Sequence, residues 1–126
     1  MKNNITFLLL LCFSVTVRAE WTFVNNVDGD LIYIDTSSIE KNGNLVRIWE
    51  KIEFAKNPSG LGSGRQHVEY DCKNQKLRTL SFQTFSGNNL SGNVRHSENK
   101  YSDWRFVPPQ TTNFAKLQFL CKLTNN

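Results

Sequence analysis

Between Asn44 and Phe54 the sequence alternates with period two. Val46, Ile48, Ile52 and Phe54 fall on one side, and Arg47, Trp49, Lys51 and Glu53 on the other. Successive side chains of a strand point to opposite faces, so this segment predicts a long, half-buried strand. Only Glu50 interrupts its apolar side. Asn42-Gly43 just upstream is tight-turn chemistry. An antiparallel sheet can leave one face wet, but its apolar face needs a second layer.

The rest of the chain supplies both. Trp21–Val24 predicts a first short strand, Asp28-Gly29-Asp30 a turn, and Leu31–Asp35 a second strand, with one helical turn expected in Thr36–Lys41. Residues 57–64 hold one Pro and three Gly and read as a surface loop. His67, Glu69 and Asp71 then alternate with Val68, Tyr70 and Cys72, which places Cys72 inward. Leu77–Phe85 is another long strand whose alternation slips between Leu77 and Leu80, as a bulge near Thr79 would produce. A short strand follows around Val94–Ser97. After Pro108-Pro109 the period changes: Phe114, Leu117 and Cys121 recur at i, i+3 and i+7 beside Leu120, with Thr111 or Thr112 as N-cap. The expected fold is α+β, about six antiparallel strands covered by one C-terminal helix.

Residues 1–19 have the three-part pattern of a secretory signal peptide: Lys2 in a short polar start, an apolar run over Ile5–Phe13, and Val17 and Ala19 at the −3 and −1 positions of a cut. A helix over residues 5–17 would span about 20 Å, short of the ~30 Å hydrocarbon core, so no transmembrane span is expected. Leu11 precedes Cys12, where lipoprotein processing favours a small residue. The expected domain is therefore residues 20–126, as one unit. It keeps two of the three cysteines, Cys72 and Cys121, and in an oxidising compartment an even pair is most simply a disulfide. The pair would fasten helix to sheet. Two metal-binding thiolates are the alternative, but no C-x-x-C pair or His cluster accompanies them.

Composition excludes some classes. Hydrophobic residues make up 39% and aromatics 12%, enough for a packed core. Without Lys2 and Arg18, thirteen basic side chains face eleven acidic ones, which is no nucleic-acid signature. His67 is expected outward beside Glu69, and His96 in a polar strand or loop. No G-x-S-x-G or H-E-x-x-H motif appears, and no catalytic residue, cofactor or metal is indicated.

The ordered set of Trp21, Tyr33-Ile34-Asp35, Ser38-Ile39, Asn42-Gly43-Asn44 and Val46-Arg47-Ile48-Trp49 resembles the surface-adhesin protein E family of Gram-negative bacteria. So do Glu69-Tyr70-Asp71-Cys72, the Leu77–Phe85 strand with Ser86-Gly87, Trp104 before Pro108-Pro109, and Cys121. The resemblance spans nearly all of residues 21–122. It implies a small exported domain with an antiparallel sheet, a C-terminal helix and one disulfide. It further implies adhesin-like binding to host matrix proteins such as vitronectin and laminin.

The residues for such contact are Arg47, Trp49 and Lys51 on the outward face of the long strand, because Arg and Trp are enriched at binding hot spots. His67 and Arg78 can extend this face, and Glu53, Glu69 and Asp71 can neutralise it. Packing beneath the 57–64 loop or against a second copy in a homodimer would also engage Trp49. The expectation is an exported non-catalytic binding module of the bacterial envelope, in the periplasm or on the outer surface, with host matrix proteins or an envelope component as partner. A periplasmic accessory domain without a host ligand is the alternative.

Overall fold

The structure, a computed structural model, describes residues 12–16 and 18–126. Most of the expected leader, residues 1–11 and 17, lies outside them. Among the described residues, period-two patterning is realised as eight antiparallel strands. They are β1 (Trp21–Val27), β2 (Asp30–Asp35), β3 (Glu40–Asn42), β4 (Leu45–Glu53), β5 (Ser63–Asp71), β6 (Lys76–Phe85), β7 (Val94–Glu98) and β8 (Arg105–Phe106), and helix α1 (Thr112–Leu123) follows. Six of them lie in the order β1-β2-β4-β5-β6-β7, while β3 adds to β4 and β8 to β6. The expected helical turn after Asp35 is shorter than the sequence indicates. Thr36–Ser38 form one 3₁₀ turn, after which Glu40–Asn42 are already paired with β4.

Local chemistry explains the connections. Asp28 and Gly29 both take positive φ (52° and 93°) between the paired residues Val27 and Asp30, a two-residue hairpin turn that suits Asp-Gly. The slip in β6 is a bulge: Val68 pairs with Thr79 but His67 with Ser81, leaving Leu80 as the extra residue. Leu77 thereby joins the core, and Leu80 is buried apart from it.

Helix α1 begins where Thr111 Oγ1 accepts from the Phe114 amide at 3.1 Å. It lays Leu117, Leu120 and Cys121 on Ile34, Val46, Ile48, Val68, Tyr70, Leu77 and Val107. Each fully buried leucine contributes roughly 1.5–3 kcal/mol. Cys72, in the β5–β6 turn, and Cys121, in the last turn of α1, form a disulfide with Cα atoms 5.7 Å apart. Helix and sheet are thus covalently joined.

One element of that interface departs from the apolar stripe. Lys116, 4% exposed, faces Glu50, 1% exposed, with Nζ 2.8 Å from Oε1. Tyr70 Oη donates to Glu50 Oε1 (2.5 Å) and Gln66 Nε2 to Glu50 Oε2 (2.7 Å). The carboxylate that interrupts the apolar side of β4 is therefore fully partnered beneath the helix. Burial first, and then the Glu50 carboxylate, push the Tyr70 phenol well above its ordinary value.

Candidate functional site

The face of the sheet opposite α1 carries Arg47, Trp49 and Lys51, and antiparallel pairing sets their neighbours. Residues directly opposite one another across strands share a face, so three rows run over β4, β5 and β6: Arg47–Glu69–Arg78, Trp49–His67–Ser81, and Lys51–Arg65–Gln83.

In the first row Glu69, 2% exposed, is held from both sides. Arg47 Nε lies 2.7 Å from Oε2, and Arg78 Nη2 lies 2.7 Å from Oε1. Burial alone would push the Glu69 carboxyl up, but the bonds and charges of Arg47 and Arg78 outweigh it and hold it below its usual range. Arg78 is covered in turn by Tyr101 and Trp104, whose ring centroids lie 4.8 and 4.5 Å from the guanidinium carbon. The connection between β7 and β8 brings these rings over the sheet. It is fixed to the β6 bulge by hydrogen bonds from the Ser102 amide to the Thr79 carbonyl (2.8 Å) and from the Thr79 amide to Ser102 Oγ (2.9 Å).

In the second row Trp49 and His67 stack face to face, with centroids 4.6 Å apart and planes inclined by 4°. Burial in the stack lowers the pKa of His67. Arg65, exposed and without a carboxylate partner among the described residues, lies over Trp49 and Phe85 and is flattened there by two bonds to Gln83 Oε1 (2.9 and 2.7 Å).

In the third row Lys51 lies on the expected face, but its head is not on the surface. It is 6% exposed, donates to Asn89 Oδ1 at 2.9 Å, sits 3.6 Å from Glu53, and is boxed by the rings of Trp21 and Tyr33. Arg47 and Trp49 stay half-exposed. Asp71 is turned away into the β5–β6 turn, where it accepts from the Lys73 and Asn74 amides. The face thus gathers four cations (Arg47, Lys51, Arg65 and Arg78) around Trp49 and His67, against the carboxylates of Glu69 and Glu53. The structure keeps the other histidine apart: His96, on β7, stacks on Phe82.

Sequence reasoning gives Arg65, Tyr101 and Trp104 no place on this face. Arg65 borders the Gly-rich loop, where period two has barely begun, and the 99–104 connection has no period at all. Among the described residues, no group of His, Cys, Asp and Glu side chains is able to hold a metal ion, and no helix is long and apolar enough to cross a membrane.

Fold and disulfide together define a small α+β domain of one antiparallel sheet with a stapled C-terminal helix. The chain belongs to the surface-adhesin protein E family, whose sequence model matches residues 21–122. Solved structures of Haemophilus influenzae protein E have the same fold. One crystal form superposes with a TM-score of 0.66 at 20% identity over 88% of this chain and 94% of that one. Another structure of protein E gives 0.64 at 22% identity over 86% and 88%. Protein E from a non-typeable strain gives 0.58 at 19% identity over 86% and 79%. Among curated protein sequences none matches.

Proposed function

We propose that this protein is an exported, non-catalytic binding module of a Gram-negative cell envelope, released from residues 1–19 and presented at the outer surface. Its open sheet face contacts acidic segments of host matrix proteins such as vitronectin or laminin. The observation that carries this reading is the preorganised cation-and-aromatic face: Trp49 stacked on His67 beneath Arg65, beside an Arg47 whose guanidinium is shared with Glu69. Aromatic and arginine side chains already locked by neighbours lose little freedom on binding, which is what a hot spot needs. Lys51 serves this face from below, by holding the rings of Trp21 and Tyr33 and adding charge.

The test is binding of purified protein to immobilised vitronectin and laminin. Truncating a hot-spot tryptophan removes 2 kcal/mol or more, about a thirtyfold loss of affinity. Trp49→Ala is expected to show that loss while Phe119→Ala, on the exposed side of α1, does not. Retention no greater than on a blocked surface, or equal loss in both variants, contradicts the proposal.

A further inference from the structure

We infer that leader removal after Ala19 completes an ion pair inside the fold, in which the new α-ammonium of Glu20 docks on the buried carboxylate of Asp35. The inference rests on the reading above that the chain is exported and cut.

Asp35 ends β2 at 7% exposure, and no salt bridge among the described residues uses it. Aspartates so buried are rarely left without a cationic partner. Its Oδ1 instead collects neutral donors: Ser37 Oγ at 2.5 Å, the Ser37 amide at 3.0 Å and the Glu20 amide at 2.9 Å. The last of these is the nitrogen of the Ala19–Glu20 peptide bond, the bond that Val17 and Ala19 mark for cleavage.

Hydrolysis of that bond adds one water. Ala19 leaves as a carboxylate, and the Glu20 nitrogen becomes an amine, which is protonated at neutral pH because α-amines titrate near 8. The nitrogen need not move. Trp21 is already paired with Asp35, and the Glu20 carbonyl accepts from the Thr36 amide at 3.2 Å. A bond from a neutral donor to the buried carboxylate is thereby replaced, at the same site, by one whose donor and acceptor carry opposite charges, which adds their Coulombic attraction in a poorly solvated place. A cut at any other bond leaves this nitrogen an amide. The fold therefore distinguishes a correctly trimmed chain from an untrimmed one, and gains stability only from the former.

The test compares chains that begin at Glu20, with a free or an enzymatically acetylated α-amine, in the native sequence and in Asp35→Asn. Acetylation keeps an N–H donor and removes the charge. It is expected to lower Tm by at least about 4 °C in the native sequence and to change little in Asp35→Asn. Equal Tm with and without acetylation, or the same loss in both backgrounds, overturns the inference. Should Asp35→Asn not fold, acylation kinetics of the Glu20 amine decide. Slower reaction in the folded chain than in urea is expected, and equal rates overturn the inference. N-terminal sequencing of the exported protein is expected to begin at Glu20, and any other first residue overturns the cellular claim. None of these readouts depends on matrix-protein binding, so the two proposals fail separately.

Discussion

Replacing Lys116 with methionine tests the interface between helix and sheet most sharply. Methionine keeps the apolar stem of lysine and removes the terminal ammonium, with its charge and donors. In the native protein Lys116 Nζ lies 2.8 Å from Glu50 Oε1 and donates to Oε2 at 3.0 Å, with 4% and 1% of the two residues exposed. The variant leaves the Glu50 carboxylate buried with only the neutral donors Tyr70 and Gln66. Breaking such a pair from one side is worth about 3–5 kcal/mol, because an uncompensated charge stays in the interior. Domains of this size have total stabilities of about 5–15 kcal/mol, so Lys116→Met removes a large share. At roughly 4 °C per kcal/mol, Tm falls by about 12–20 °C. Converting the cluster together (Glu50→Leu, Tyr70→Phe, Gln66→Leu, Lys116→Met) removes the charge along with its partners, and is expected to come out near neutral or stabilising. Urea unfolding followed by tryptophan fluorescence measures both, with an unchanged slope confirming that stability is what moved. A loss below about 1 kcal/mol in Lys116→Met, the scale of an exposed pair, refutes the reasoning. So does a combined variant as unstable as the single one.

Two further predictions concern the staple and the Glu69 row. Replacing Cys72 and Cys121 together with alanine opens a link between residues 49 positions apart; the urea midpoint is expected to fall by the equivalent of about 4 kcal/mol, less any native strain. An unchanged midpoint contradicts the covalent-anchor reading. Glu69 titrates in the folded state below its ordinary value of 4.5, so the unfolded chain binds its proton first as pH falls. Its contribution is full above that ordinary value and is lost as pH drops through the lower folded value. Tm against pH is therefore expected to fall less steeply below pH 4.5 in Glu69→Gln than in the native protein, and parallel curves contradict the prediction.

The sequence is most legible where two faces differ along a whole strand. β4 declares itself through eleven residues of alternation, and its pairing with β5, and that of β5 with β6, then determine the rows of the open face. The bulge in β6 is visible because Leu77 and Leu80 both need burial yet stand three apart. By contrast β3 and β8 span three and two residues, too few to show a period. The cover supplied by Tyr101 and Trp104 comes from a connection held by hydrogen bonds to β6, which no side-chain pattern encodes. Glu50 and Lys116 show what pattern reading loses. Each violates the apolar stripe of its own element, and each finds its opposite charge in the other, 66 positions away in sequence. Two opposite charges at core positions of elements expected to pack were the available signal. Alternation gives Lys51 its face but not its depth, because it says nothing of the rings of Trp21 and Tyr33 that close over it.

The most direct measurement of whether this face meets partners outside the cell is protease shaving of intact bacteria that produce the full chain, with a periplasmic protein followed as control. Loss of this protein while the control survives is the predicted result. Survival of both in intact cells, with digestion only after the outer membrane is opened, contradicts it.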